Sequence, residues 1–189
     1  GVALRFSTLE SRAEVVPMVD AAARTTVATI ARLDNRDELC DAFQIPTAAR
    51  ASVPDGHLVR LAYERWGEGC PARLLGDWSL AAWHADERRL FLARDHLGST
   101  GLYYAHVGPL LAFASSPEAL ALLPEVASPI DEWQVVRYLA IFPGEPDRTL
   151  WRDVRVLPPA HSLTAVDGRV RAHEYWRAYA IALKLDQDL

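Results

Sequence analysis

The sequence predicts an α+β fold in which two stacked sheets lie between layers of helices. Segments 78–83 and 90–93 are apolar at consecutive positions, which is typical of strands covered on both faces. Turn signals at Gly108-Pro109 and Asp167-Gly168 separate neighbouring strands. Three other segments have apolar residues at helical spacing and begin at capping residues, so helices are available to cover the sheets.

The first half of the chain is predicted to contain one clear strand and two helices. Residues 25–31 are rich in β-branched side chains in an alternating pattern, which favours a strand. Asn35 followed by Glu38 is typical of a capping box at the start of a short helix. Asp55 is expected to cap a longer helix. The apolar positions of that helix are Leu58, Leu61, Ala62 and Trp66.

The second half is predicted to be richer in strands. The expected strands are 78–83, 90–93, 102–105, 110–114, 161–166 and 169–173, with one more at 2–6 near the start of the chain. Asp131 with Gln134 indicates a third capped helix, and residues 177–189 favour a helix. Trp78, Trp83 and Phe91 are expected in the buried layers between sheets and helices.

Composition excludes several classes of protein. With 50% hydrophobic and 24% charged residues, the 189-residue chain has the composition of a globular domain. A net charge of −5 without a basic patch argues against nucleic-acid binding. The sequence contains neither an apolar run of about 18 residues nor a signal peptide, so we expect a cytoplasmic location without membrane contact. Cys40 and Cys70 form no CxxC pair and the histidines are scattered, so no metal site is expected.

Three ordered segments resemble the asparagine synthetase family. Residues 93–104 read ARDHLGSTGLYY, which is similar to the family signature ARDxxGxxPLYY. Within residues 62–83, AYERWG and LLGDWSLAAW are similar to the family block YExxG…LxGxFAFAIWD, and residues 113–120 are similar to FASExKAL. The resemblance extends over residues 3–176. We therefore expect one domain over residues 1–176, lacking a few tens of family residues at its start, and a tail or linker at 177–189.

The resemblance implies a glutaminase-type domain of the class II amidotransferases. That family has the N-terminal-nucleophile hydrolase fold, a four-layer αββα sandwich of two antiparallel sheets. In complete members a C-terminal synthetase domain binds ATP and Mg²⁺ and adenylates a carboxylate. Its phosphate-binding SGGxDS loop is not in this sequence, so no cofactor is expected in this chain. The expected partner is a synthetase domain from the same gene or a separate chain, packed on the apolar strands within 102–113.

The family nucleophile is the thiol of an N-terminal cysteine, whose own α-amine acts as the base. Residue 1 here is glycine, and Cys40 and Cys70 lie inside the chain, so no catalytic residue is assigned. The family places a few tens of residues before the point that matches Val2. A cysteine further upstream in the native gene therefore stays open.

The glutamine pocket implied by the resemblance is degenerate. In the family, Asn and Gly supply the oxyanion hole and Glu binds the substrate ammonium; these positions match Ile30, Ala31 and Arg32. Ile30 has no side-chain donor, and loss of one oxyanion donor costs about 10²–10³ in rate. Arg32 places a cation where the ammonium would lie. Asp55 matches a second ammonium-binding carboxylate and is retained, although a helix cap explains it equally well.

Other positions in the matched segments suggest structural roles. Arg94 and Asp95 of the signature are interpreted as a structural ion pair rather than as catalytic groups. Gly101 stands where the signature has proline, which weakens the similarity to true asparagine synthetases.

Three functions stay open on the sequence. The favoured one is a degenerate glutaminase-like domain, inactive alone, of an ATP-dependent amide-forming enzyme that closes lasso-peptide macrolactams or β-lactams, with a peptide as a possible substrate. The second is a truncated glutaminase domain of a glutamine-hydrolysing asparagine synthetase. The third is a non-enzymatic scaffold or peptide-binding domain. In the complete gene, cysteine after the initiator Met would support the second, and SGGxDS without it the first. Absence of both would support the third.

Overall fold

Two antiparallel sheets form the centre of the protein. The computed structural model describes residues 16–22, 24–142 and 144–178. The strands are β1 (Met18–Asp20), β2 (Thr25–Leu33), β3 (Gly76–His84), β4 (Arg89–Arg94), β5 (Tyr103–Val107), β6 (Leu110–Ala114), β7 (Val154–Val156), β8 (His161–Val166) and β9 (Arg169–Glu174). Within the described residues, the large sheet has six strands in the order β1-β2-β3-β4-β8-β9, and the small sheet has three in the order β6-β5-β7.

Helices cover the outer face of each sheet. They are α1 (Arg36–Ala42), α2 (Thr47–Arg50), α3 (Asp55–Trp66), α4 (Pro117–Ala121) and α5 (Glu132–Leu139), with a 3-10 helix at Gly67–Arg73. The residues of α1 and α3 pack on the large sheet, and those of α4 pack on the small sheet. The predicted helix–sheet–sheet–helix order is therefore confirmed.

Three buried clusters separate these layers. The first lies between the helices and the large sheet and includes the fully buried Trp78 and Phe91. The second lies between the two sheets and includes Leu92 and Leu163. The third lies between the small sheet and α4, around Leu120. Each fully buried large side chain contributes about 1.5–3 kcal/mol of transfer free energy, so all four layers are held together by apolar burial.

The hairpin of β8 and β9 forms as predicted. Asp167 and Gly168 both have positive φ, 49° and 75°, as a type I′ turn requires. Two other predictions, a strand at 2–6 and a helix at 177–189, fall outside the described residues, apart from 177 and 178, which are not helical. None of the described helices is long and apolar enough to cross a membrane.

The helix starts agree only partly with the predicted caps. Asp131 caps α5 as predicted, because its carboxylate accepts from the N–H groups of Trp133 and Gln134. Asn35 precedes α1, but its side chain bonds the backbone of Arg73 and Leu75 instead of closing a capping box. The backbone groups of Arg73 and Leu75, about forty residues away in sequence, are better placed to bond the Asn35 side chain than the N–H groups of α1 are.

The prediction that Asp55 is a helix cap is also wrong. The N-cap position of α3 is Pro54, and Asp55 is the first residue of the helix. Its carboxylate accepts from the backbone of the neighbouring strand rather than from its own helix. Proline at the cap has no side-chain acceptor, so the cap prediction misplaced the helix start by one residue.

Trp83 is not buried as predicted, since 40% of it is exposed. Even-numbered residues of β3, such as Trp78, face the helices, whereas Trp83 shares the opposite face with Ala81. The small sheet buries Ala81 but leaves Trp83 partly open. Both residues belong to β3 and share a face, so the difference lies along the strand, where Trp83 is next to the last residue.

The strands within 102–113 are covered inside the domain. Leu102 and Tyr104 pack towards the large sheet, while Ala105 and Ala112 pack towards α4. The apolar surface that was expected to receive a partner is therefore largely used within the fold. Phe113 is the large apolar side chain of this region that stays exposed.

The last described strand leads into an aromatic cluster. The hydroxyl of Tyr175 donates to the carbonyl oxygen of Arg94 at 2.6 Å, and its ring stacks on Trp78 with centroids 6.3 Å apart. The ring of His96 meets Tyr175 and Trp176 edge-on. Burial lowers the pKa of His96, so these contacts involve a neutral imidazole at neutral pH.

Candidate functional site

The positions matched to the glutamine pocket lie where β2 ends beside the start of β3. Arg32 of β2 is directly opposite Asp77 of β3. Gly76, next to Asp77, has a φ of +129°, and a Cβ there would lie 2.1 Å from the carbonyl oxygen of Arg32. Only glycine allows this close approach, and the approach fixes where Arg32 stands relative to Asp77.

Strand alternation separates the three pocket positions on β2. Ile30 and Arg32 are exposed on one face of the large sheet. Ala31 lies on the other face and packs against the cluster beneath the helices. The structure thus brings Ile30 and Arg32 to one surface, where the side chain of Ile30 offers no hydrogen-bond donor.

Arg32 is held by two carboxylates. Its Nε donates to Oδ2 of Asp77 at 2.8 Å, and its Nη1 donates to Oδ1 of Asp34. Hydrogen bonds from Arg32 and Ser99 hold the pKa of Asp77 below its ordinary value. Asp34 and Asp77 also raise the pKa of Arg32. The position that the resemblance assigns to a carboxylate is therefore occupied by a cation with two internal counterions.

Asp55 lies close to the backbone of β2 and is mostly buried. Its Oδ2 accepts from the N–H of Leu33 at 2.8 Å. Its Oδ1 forms an ion pair with Nη1 of Arg36, in a contact that is ionic rather than an aligned hydrogen bond. Both oxygens of Asp55 are thus engaged inside the domain.

Arg36 is locked in this position by two further bonds. Its Nη2 donates to the carbonyl oxygens of Arg50 at 3.0 Å and Val53 at 2.9 Å. Among the described contacts, no hydrogen bond or ion pair joins Asp55 to Arg32, so the two cations of the region have separate counterions.

Sequence reasoning missed Arg36 and Asp77. Arg36 is the first residue of α1, where a cation is disfavoured by the helix dipole. An arginine at that position was a signal that a specific anion lies nearby. Asp77 had no comparable signal, because its pairing with Arg32 depends on the strand register.

Arg94 and Asp95 organise the loop at 95–101 but do not pair with each other. The buried Asp95 accepts from the N–H groups of Leu97, Ser99 and Thr100 at 2.9–3.1 Å and from the Thr100 hydroxyl at 3.1 Å. The Arg94 guanidinium donates to three carbonyl oxygens, those of Gly98, Thr100 and Leu157.

The expected ion pair between these two residues is therefore wrong. No described ion pair includes Arg94 or Asp95, and each side chain serves backbone groups instead. Burial lowers the pKa of Arg94. All the polar atoms of both groups have backbone or hydroxyl partners nearby, so they fix the shape of the loop.

Neither cysteine is arranged as a nucleophile. Cys40 and Cys70 are fully buried and unbonded to each other. Burial raises the pKa of the Cys70 thiol to about 12, so it is protonated at neutral pH. Among the described residues, no group of His, Cys, Asp and Glu side chains could hold a metal ion.

Comparisons with known proteins agree with this fold and with the matched segments. The family described as glutamine amidotransferase domain matches residues 3–176. Proteins of Mycobacterium bovis and Mycobacterium tuberculosis, named as glutamine-hydrolysing asparagine synthetases, are 33% identical over 129 residues, which is 66% of this chain. The chain spans only 19% of the length of those relatives.

Solved structures show the same architecture. The glutamine phosphoribosylpyrophosphate amidotransferase of B. subtilis is similar over 93% of this chain and 34% of its own, with a TM-score of 0.62 and 14% identity. A structure of the allosteric regulatory enzyme of purine biosynthesis is similar over 82% of this chain and 29% of its own, with a TM-score of 0.53 and 14% identity. At this identity the likeness concerns the fold, which is the predicted sandwich of the N-terminal-nucleophile hydrolases. The chain belongs to the family of class II glutamine amidotransferase domains, and within it resembles the domain found in asparagine synthetases.

Proposed function

We propose that this domain does not hydrolyse glutamine and that it serves as the degenerate first domain of an asparagine synthetase-type enzyme that forms amides with ATP. The observation that carries the proposal is the Arg36–Asp55 ion pair. An amino-acid substrate would offer its ammonium to a carboxylate that already has a cation. Displacing Arg36 would also break its bonds to the carbonyl oxygens of Arg50 and Val53.

The exposed face of β2 supports the same proposal. A pocket for the substrate ammonium needs negative charge, yet Arg32 stands there with Asp34 and Asp77 already paired to it. Two like charges at close range repel each other. Ile30 beside it supplies no side-chain donor to an oxyanion, a loss that costs about 10²–10³ in rate in other hydrolases.

A domain that releases no ammonia requires another amine for amide formation. We propose that this amine belongs to the substrate itself, so that the reaction closes a ring, as in a macrolactam or a β-lactam. A peptide with a free amine and a carboxylate meets both requirements. ATP and Mg²⁺ would act in a synthetase domain outside this chain, where they would activate the carboxylate and release pyrophosphate.

Calorimetry and a coupled assay test the proposal. The 189-residue chain should give no saturable heat with glutamine at millimolar concentration. The full-length protein, supplied with ATP, Mg²⁺ and candidate peptides encoded near its gene, should release pyrophosphate at the same rate with and without glutamine. Release that depends on glutamine, or glutamate formation above the blank, would favour a working glutaminase.

A further inference from the structure

Helix α5 is the most exposed apolar element of the described protein. None of its eight residues is buried. Trp133 is 64% exposed and Leu139 is 74% exposed, and the turn after the helix adds Ile141 and Phe142. We call this surface the α5 ridge; its members are Trp133, Val136, Tyr138, Leu139, Ile141 and Phe142.

The ridge is exposed although the helix itself is fixed in place. Asp131 caps the helix, and its backbone N–H donates to the carbonyl oxygen of Leu150 at 2.8 Å. Ile130 forms a bridge with Trp151, which packs against the cluster of α4. The helix is therefore anchored at its start, while its apolar side chains point away from the domain.

A contiguous group of large apolar side chains is unusual on a free surface. Isolated exposed hydrophobic residues are common, but a cluster of this kind marks an interface.

We infer that the α5 ridge is the surface on which the synthetase-type part of the longer protein docks; this inference rests on the proposed function. The match to the mycobacterial relatives spans only 19% of their length, so in such a polypeptide most of the residues would lie outside this domain. The strand faces within 102–113 are covered by the large sheet and by α4. The ridge is the large apolar surface that the described fold leaves uncovered.

Separate expression of the two parts tests the inference. The probe is the polypeptide carrying SGGxDS that is encoded in the same gene or directly beside it, and its affinity for the 189-residue chain is measured by calorimetry. The double variant Trp133→Ser/Leu139→Ser should bind at least about tenfold more weakly. Leu122→Ser is the matched control, because Leu122 is 82% exposed but lies at the end of α4. Its binding should be that of the wild type.

Each outcome separates the inference from the proposed function. Both variants should keep the wild-type Tm, since the substituted side chains are exposed. Equal binding by the double variant and the wild type would overturn the docking surface and leave the proposed function intact. A wild-type chain that does not bind the probe at all would count against the proposed function as well. Concentration-dependent dimers of the chain that vanish in the double variant would assign the ridge to a second copy and overturn the inference.

Discussion

The two faces of the large sheet differ in how their side chains are held. On the face towards α3, Trp78 is fully buried and Asp55 has its partners inside the domain. On the opposite face, Ile30 and Trp83 are partly exposed, and Arg32 is held by ion pairs that water screens. The positions that depart from the glutaminase pattern at Ile30 and Arg32 lie on this open face. Substitution on this face should cost little stability, so its residues can change while the fold persists.

The largest expected difference between the faces concerns the two tryptophans of β3. Trp78→Ala removes a fully buried ring and should cost about 3–5 kcal/mol, a large share of a typical total of about 5–15 kcal/mol. Trp83→Ala removes a ring that is 40% exposed and should cost about 1 kcal/mol. Urea denaturation of both variants measures the difference. Equal losses would show that the two faces are packed alike.

Asp95 joins the buried face to the 95–101 loop, because its N–H donates to the carbonyl oxygen of Trp78 at 3.0 Å. Asp95→Ala leaves the N–H groups of Leu97, Ser99 and Thr100 without their acceptor. Leu97 and Ser99 are exposed, so water can partly replace the acceptor, and we expect a loss of about 1–3 kcal/mol in the free energy of unfolding. Asp37→Ala, at an exposed carboxylate, is the control and should keep the wild-type Tm.

Arg36→Met tests how much the partly buried Arg36–Asp55 ion pair contributes to the free energy of unfolding. The variant keeps the length of the side chain but leaves Oδ1 of Asp55 without its cation. We expect a loss of about 1–3 kcal/mol, measured by chemical denaturation. In a protein that already carries Asp55→Asn, the substitution Arg36→Met should cost less. The difference between the two losses in the free energy of unfolding gives the coupling energy of the pair. Additive effects in this double-mutant cycle would mean that Arg36 and Asp55 act independently.

The smallest expected effect belongs to the open face. Arg32→Met should lower the Tm only slightly at neutral pH, because its side chain and its partners are exposed and water screens the ion pairs. The pKa of Asp77 should rise towards its ordinary value, since Arg32 no longer donates to it. A lowered folded pKa stabilises the protein above the unfolded value, and the contribution is lost as the pH falls through the folded value. The variant should therefore lose this acid-sensitive part, which NMR titration of Asp77 detects.

Local patterns predicted the secondary structure better than the side-chain partners. The alternation in 161–174 and the Asp167-Gly168 turn depend on neighbouring residues only, and the hairpin forms as predicted. The partners of Asn35 and Asp55 are distant in sequence or in another element, so their cap predictions were wrong. The exposure of Trp83 depends on how far along β3 the opposite sheet reaches, which no local pattern encodes.

The charge partners of the candidate site were not predictable from the sequence. Matching segments assigned Ile30, Arg32 and Asp55 to one pocket; in the structure Ile30 and Arg32 lie on the open face of β2, and Asp55 lies on the face towards α3, where it accepts from the N–H of Leu33. The pairing of Arg36 with Asp55 requires the approach of α1 to the start of α3, a tertiary contact. Whether this arrangement abolishes glutamine hydrolysis is the question that calorimetry answers.

Tyr175 holds the chain in place directly after β9. Its ring contacts Trp78 of the large sheet and His96, and its hydroxyl donates to the carbonyl oxygen of Arg94. A shift of the backbone at Tyr175 would therefore disturb two parts of the protein at once, the ring of Trp78 and the carbonyl oxygen of Arg94. The guanidinium of Arg94 binds the carbonyl oxygens of Gly98 and Thr100, so the 95–101 loop would be disturbed as well. Tyr175 thus couples the chain after β9 to a loop that is about eighty residues away in sequence.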